Sequence, residues 1–289
     1  MMFMSHDNKA KAAYDTESVI VLKVGTKVIT TKEGSLDRGQ IDKLTRQIHQ
    51  LRKHYRKVIL VTSGAVAAGR EVVGAVAREG ESVPEQQRYA AAGAGPLLEA
   101  WSTGFKKAAE TEKKELAEDP LVVYQLLLTR HNFASKIERK NIKGSIQKIF
   151  DADDGVVVMN ENDPVSSAEL KKENKKGTKF GDNDQLAGYI SRLMGARVAV
   201  LLSDNGICVD PQLPDTLIKE IKNGSDEHRQ YLQPAVAING RGGAPEKDKV
   251  ASDLQKRGIP VHIAAGREVN ILLRILLDGE EGTSTHYKP

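Results

Sequence analysis

Val58-Ile59-Leu60-Val61-Thr62-Ser63-Gly64-Ala65 is an apolar run that ends on a hydroxyl and a glycine, then passes into Val66-Ala67-Ala68-Gly69. A short continuous apolar run of this kind reads as a strand buried on both faces, and the Gly-Ala after it opens a helix. Strand-to-helix turns are the unit of a parallel sheet, and open α/β sheets bind ligands outside the carboxyl ends of their strands. About 100 residues later the arrangement recurs. Gly155 to Met159 reads as a strand that feeds Asn160-Glu161-Asn162-Asp163, and Gly181-Asp182-Asn183-Asp184 precedes another helix. Together with Lys23-Val24-Gly25-Thr26, at the end of the first predicted strand, these stretches hold the parts of a phosphoryl-transfer site. A Walker loop is absent, because the spacing Gly-x-x-x-x-Gly-Lys-[Ser/Thr] does not occur.

Outward from these stretches the pattern keeps alternating. Ser18 to Lys23 reads as a buried strand, and Asp37 to Tyr55 as an amphipathic helix with Ile41, Leu44, Ile48 and Leu51 on one face. Pro84 to Ala109 reads as a helix in two parts, interrupted near Gly93-Ala94-Gly95-Pro96. Leu121 to Leu128 is a predicted strand, Arg139 to Phe150 and Asp184 to Met194 are helices, and Ala196 to Leu202 is a further strand. Residues 210–233 are polar and weakly patterned. A helix over Glu246 to Lys256, a strand at Val261 to Ala264 and a short helix near Val269 to Leu277 complete the chain. The expectation is an α/β fold, a three-layer α/β/α sandwich with a mostly parallel central sheet. Residues 1–17 lack an apolar segment and read as a flexible leader, and 18–289 as one domain with two lobes. Ser166 to Gly181, rich in lysine, reads as an exposed hairpin or lid, or as a solvated charged loop with no further role.

Aromatic residues are only 4% of the 289-residue chain, so its core is built from Val, Ile, Leu and Ala. The formal net charge of +4 is spread along the chain, without the basic stripe and interleaved aromatics that mark nucleic-acid binding; a small polyanionic substrate suits it. Cys208 is the single cysteine, so no intrachain disulfide forms, and it reads as a small buried hydrophobe. No apolar run reaches the roughly 18 residues of a bilayer span, and the cytoplasm is the default expectation.

Each constellation has a chemical reading and a plainer one. A lysine at a strand end, Lys23, can put its ammonium on a transferring phosphoryl group, with bare backbone at Gly25 donating to the same oxygens; it can also merely snorkel. Ser63-Gly64 exposes a hydroxyl and helix amides to a carboxylate or phosphate, or Ser63 is a simple N-cap. Asn160, Asn162, Asp163, Asp182, Asn183 and Asp184 could grip an amino group or orient lysines. Gly240-Arg241-Gly242-Gly243, running into a helix that holds Lys247, could cradle phosphates or form a glycine-rich turn. Ser203-Asp204 could line a nucleotide pocket or a turn.

In order, these segments resemble the glutamate 5-kinase branch of the amino acid kinase family, over almost the whole chain from about Val19 to Thr285. Lys23 to Thr26, Val61 to Gly69, Leu127 to Arg130, Asn160 to Val165, Gly181 to Leu186 and Ile263 to Gly266 carry the match. The resemblance implies ATP-dependent phosphorylation of the side-chain carboxylate of L-glutamate, a first step toward proline, with Mg2+ on the nucleotide. It implies that Lys23 and Lys247 stabilise the transferring phosphoryl while Asp184 holds both lysines. Ser63, Gly64, Asp163 and Asn183 would bind the amino acid. Lys23, Ser203, Asp204, Arg241, Gly242, Gly243 and Lys247 would bind the nucleotide. The lobe of about 18–175 would take the acyl substrate and that of about 176–289 the nucleotide. A homo-oligomer (dimer or tetramer) and a downstream glutamate-5-semialdehyde dehydrogenase are implied, with no nucleic-acid or membrane partner. The C-terminal PUA module of many homologues is not expected.

Three positions depart from the branch. Gly93-Ala94 replaces Gly-Gln, the nucleotide loop reads Gly240-Arg-Gly-Gly-Ala-Pro-Glu-Lys247, and the segment after Asp204 is short and lacks an aromatic. Glu246 adds negative charge where phosphates are expected. Two other readings therefore stay open: the same fold acting on another small carboxylate or phosphate, and a kinase-like binding protein with impaired ATP turnover.

Overall fold

The computed structural model describes residues 17–78, 80–112, 121–166, 183–232 and 243–289. Among the described residues, eight strands form one sheet in the order β3-β4-β2-β1-β5-β7-β8-β6. They are β1 (Val19–Val24), β2 (Lys57–Thr62), β3 (Val122–Leu128), β4 (Gly155–Glu161), β5 (Val198–Ser203), β6 (Glu220–Lys222), β7 (Val261–Ala265) and β8 (Ser284–Lys288). All neighbours run parallel except β7 and β8. The helices are α1 (Arg38–Arg52), α2 (Ala65–Val73), α3 (Val83–Glu112), α4 (Arg130–Ala134), α5 (Lys136–Ala152), α6 (Asn183–Met194), α7 (Ala244–Gln255) and α8 (Ile271–Leu276).

The sheet separates two apolar cores. Ile20, Leu22 and Val24 of β1 pack with α1, α2, α3 and α8, whereas Val19 and Val21 face α5, α6 and α7. Strand side chains alternate in direction. Lys23, between Leu22 and Val24, therefore falls on the α6–α7 side, and the expected three-layer architecture is the one observed. Among the described residues, no helix is long and apolar enough to cross a membrane. Cys208 is buried, and that burial pushes its thiol pKa up.

The structure departs from the sequence reading in four places. Residues 83–112 form one helix instead of two. Gly93 is not a break but a contact: a Cβ there would meet Ala65 O at 2.0 Å, and one on Gly69 would meet Tyr89 O at 1.7 Å. The α2–α3 crossing is possible only with glycine on both helices. Pro96 removes one backbone bond, yet the helix continues because Leu97, Trp101 and Phe105 are locked into the core. The other misses are α4 and the strands β6 and β8, too short or too polar to carry a periodic signal. The leader up to residue 16, the lysine-rich stretch beyond Ser166, and Asp182, Arg241 and Gly242 lie outside the described residues.

Candidate active site

Parallel register brings the carboxyl ends of β1, β2, β4 and β5 to one edge of the sheet. Val24 lies opposite Thr62 on one side and Leu202 on the other, and Val61 lies opposite Met159. The N-terminal turns of α6 and α7 reach the same edge. There the Lys23 Nζ stands 2.6 Å from Asp184 Oδ1, and the Lys247 Nζ 3.1 Å from Asp184 Oδ2. Exposures of 3%, 0% and 4% for Lys23, Asp184 and Lys247 place all three out of water. Buried unpaired ions cost several kcal/mol each, so such groups persist only in company. Asp184 is in the first turn of α6, where the helix dipole favours a carboxylate. Lys247 is in the first turn of α7, where the dipole disfavours a cation, and Asp184 offsets that. Two ammonium groups share one carboxylate, and the three groups together carry a formal charge of +1.

Gly25 differs from expectation. Its N–H donates to Leu202 O at 3.1 Å, which removes it from the set of amides open to an incoming anion. It provides a close approach instead: a Cβ at Gly25 would lie 3.2 Å from Leu202 O and 3.7 Å from the Lys23 Nζ.

Beside the lysines is a neutral cluster. The Asn183 Nδ2 donates to Ser63 Oγ at 3.1 Å and to Asn160 Oδ1 at 3.0 Å. The Glu161 N–H lies 2.9 Å from Asn160 Oδ1 and 3.3 Å from Asn183 Oδ1. Residues distant in sequence thus converge through two strand ends, those of β2 and β4, and the start of α6. Ser63 is not the cap of α2. That position belongs to Gly64, whose φ of 108° is one that side-chain-bearing residues rarely adopt. The first amides of α2 have no partner within the helix. Asp163 is buried in the turn after β4, where the Gln87 Nε2 of α3 donates to its carbonyl at 3.2 Å.

Ser203 and Asp204 stand at the end of β5, next to β1 in the sheet. Asp204 is half exposed and pairs with Lys27 at 2.8 Å, a contact that contributes little at such exposure. Gly243 caps α7, and the Glu246 carboxylate reaches back to its N–H at 3.2 Å. Glu246 thereby acquires a local role, half of a capping box. Pro245 falls in the first turn of α7, where a missing N–H costs no helical bond.

The sequence reading missed Gln87 and a second polar cluster on α7. There the Asp248 Oδ1 receives the Tyr287 hydroxyl at 2.9 Å and the Ser252 hydroxyl at 3.2 Å, with His228 Nε2 at 2.6 Å. The Arg229 Nε donates to Asp248 Oδ2 at 3.2 Å. The spacing of Asp248, Ser252 and Gln255 sets a polar stripe beside the apolar stripe of Val250, Ala251 and Leu254, a signal present in the sequence but not drawn upon. Among the described residues, no group of three or more His, Cys, Asp or Glu side chains could hold a metal ion.

Residues 18–265 match the model of the amino acid kinase family. A glutamate 5-kinase of Chlorobaculum tepidum is 36% identical over 91% of the chain and 68% of its own length. One of Bacteroides thetaiotaomicron is 32% identical over 93% and 70%. Among solved structures, a carbamate kinase from Giardia lamblia bound to AMP-PNP superposes with a TM-score of 0.60 at 18% identity, covering 94% of this chain and 98% of its own. An N-acetylglutamate synthase from Neisseria gonorrhoeae superposes with a TM-score of 0.61 at 18% identity, covering 94% of this chain and 59% of its own. At that identity the structural likeness speaks for the fold alone.

Proposed function

The chain belongs to the amino acid kinase family, and from that premise we propose that it transfers the γ-phosphoryl group of ATP to the side-chain carboxylate of L-glutamate. The observation that carries this reading is the pair of buried ammonium groups of Lys23 and Lys247 on one buried Asp184. Two ammonium groups fixed on one buried carboxylate can stabilise the charge of a phosphoryl group in flight. The relatives named glutamate 5-kinase supply the acceptor.

The chemistry asks little beyond position and charge. A carboxylate oxygen attacks the γ-phosphorus, the bond to the β-γ bridging oxygen breaks, and ADP leaves with the electron pair; no proton moves. Lys23 and Lys247 neutralise charge on the transferring group, and Asp184 holds both ammonium groups at fixed positions so that nothing reorganises as charge shifts. Ser63, Gly64, Asp163 and Asn183 grip the amino acid: Asp163 offers a carboxylate to its ammonium, while the α2 amides offer donors to a carboxylate. Ser203, Asp204 and the segment from Arg241 to Lys247 take the nucleotide. Mg2+ would enter on the nucleotide phosphates and neutralise their charge. The product is a mixed anhydride, which calls for a reductive dehydrogenase to consume it. Self-association into a dimer or tetramer belongs to the same proposal.

Measuring ADP release over a panel of small carboxylates and phosphates tests the reading. L-Glutamate is expected to give the highest kcat/KM, and preference for another acceptor would overturn that assignment.

A further inference from the structure

The cluster around Asp248 has no part in the proposed chemistry, yet it is more elaborate than a buried surface helix needs. Asp248 is 4% exposed, follows Lys247 directly, and gathers groups from three elements. His228 and Arg229 come from the 3-10 turn Glu227–Tyr231, Tyr287 from β8, and Ser252 from the next turn of α7. His228 is as buried as Asp248, and the Tyr287 ring stands edge-on to the His228 imidazole with centroids 5.9 Å apart. One turn further, the Gln255 Nε2 donates to Ile221 O at 2.6 Å and Lys288 O at 2.8 Å. Asp248 and Gln255 thus tie this stripe of α7 to β6, β8 and the 227–231 turn, and Ser252 ties back to Asp248 within the helix.

The position of these ties matters. In sequence, 227–231 stands just before the glycine-rich segment ending at Gly243, and α7 begins just after it. The His228–Asp248 and Arg229–Asp248 contacts thus link the described turn that precedes that segment to the helix that follows it. They also hold α7 along a face about 100° round the helix from the one that delivers Lys247 to Asp184.

We propose that His228, Asp248 and Tyr287 are positioning residues for nucleotide binding: a buried clasp that sets the register of α7, and through it the Lys247 ammonium. The inference rests on the nucleotide reading of Lys247 given above. Arg229 and Ser252 complete the clasp from its more exposed side. The His228 Nε2 stands 2.6 Å from Asp248 Oδ1, and Tyr287 and Ser252 donate to the same oxygen. The carboxylate is thus held by direction as well as charge. Pulling one member out leaves a buried carboxylate short of donors, which loosens the clasp more than the loss of one ordinary bond.

The test is calorimetric titration of a non-hydrolysable ATP analogue with Mg2+ into wild type, His228→Ala, His228→Gln and Tyr287→Phe, each also titrated with L-glutamate. His228→Ala is expected to weaken the analogue about tenfold while glutamate affinity stays within twofold. His228→Gln, whose amide can donate from nearly the same point, should regain most of the loss, and Tyr287→Phe should weaken the analogue about threefold. Unchanged analogue affinity in His228→Ala, equal losses for both ligands, or no rescue by Gln would overturn the clasp. If His228→Ala does not fold, Tyr287→Phe, which keeps the ring, decides alone. A wild type that binds no analogue overturns the nucleotide reading, and the clasp with it; a wild type that binds analogue but not glutamate overturns only the acceptor.

Discussion

The two halves of the proposed site, an acyl side for the amino acid and a side for the nucleotide, are built in contrasting ways. On the acyl side, Ser63, Asn160 and Asn183 hold one another directly, each at the end of a strand or the start of a helix. On the nucleotide side, Lys247 depends on Asp184 in front and on α7 behind, and α7 is fastened by groups far from the chemistry. Ser63, Asn160 and Asn183 of the first half keep the residues of the family motif, and that lobe departs at Ala94; the second half departs at Arg241, Ala244, Pro245 and Glu246. A self-supporting cluster at rigid strand ends tolerates little change, because every member is another member's partner. A helix positioned from behind can change residues at its start so long as its register holds.

If this contrast is right, substitutions should separate cleanly by substrate. The largest effect is expected at the junction of the halves. Lys247→Ala should lower kcat about 10²–10³-fold, the scale for removing one preorganised charge-stabilising group, with glutamate affinity nearly unchanged. Steady-state kinetics in both substrates check this, and wild-type turnover would remove Lys247 from the mechanism. Next comes Asp163→Ala, expected to raise the KM for glutamate at least about tenfold, or roughly 1.4 kcal/mol, with the KM for ATP steady. Equal effects on both substrates would mean that Asp163 shapes the turn and reads nothing.

Glu246→Thr probes the altered start of α7. A phosphate arriving at that helix terminus competes with the Glu246 carboxylate for the Gly243 amide and is repelled by it. The variant should therefore bind ATP about threefold tighter, roughly 0.6 kcal/mol, and lose about 0.5–1 kcal/mol of stability with its cap. Weaker ATP binding would show that the carboxylate serves the nucleotide.

The smallest effect lies behind the nucleotide half. His262 and His286 stack across β7 and β8 with centroids 4.2 Å apart. Burial, reinforced by His286, lowers the His262 pKa from 6.5 to about 3. The folded protein keeps this ring neutral, so unfolding takes up a proton below pH 6.5. The stability this contributes is whole above pH 6.5 and is lost progressively as pH falls toward about 3. In His262→Gln, denaturant midpoints should depend less steeply on pH across that window; an unchanged slope would place the acid sensitivity elsewhere.

Much of this was legible in the sequence because it is local. The strands β1, β2, β4 and β5 are short apolar runs with chemistry at their ends, and Lys23, Ser63, Asn183, Asp184 and Lys247 occupy the positions that such a pattern marks. What stayed hidden depends on contacts without a period. Gly93 looked like a break because nothing in its own segment reveals that α2 passes within touching distance. Strand β8 is too polar to announce itself, yet Tyr287 is fully buried. Asp248 drew no notice because its partners His228 and Tyr287 lie 20 and 39 residues away. Glu246 looked hostile to phosphates until its bond to Gly243 supplied a local reason for it.

The most direct test of the central claim is to trap the product. An acyl phosphate reacts with hydroxylamine to give a hydroxamate, whereas a phosphate ester does not. Wild-type enzyme given ATP, Mg2+, L-glutamate and hydroxylamine should form glutamyl hydroxamate in step with ADP, and Lys247→Ala should form almost none. ADP released without hydroxamate, or a hydroxamate yield indifferent to Lys247, would contradict the account.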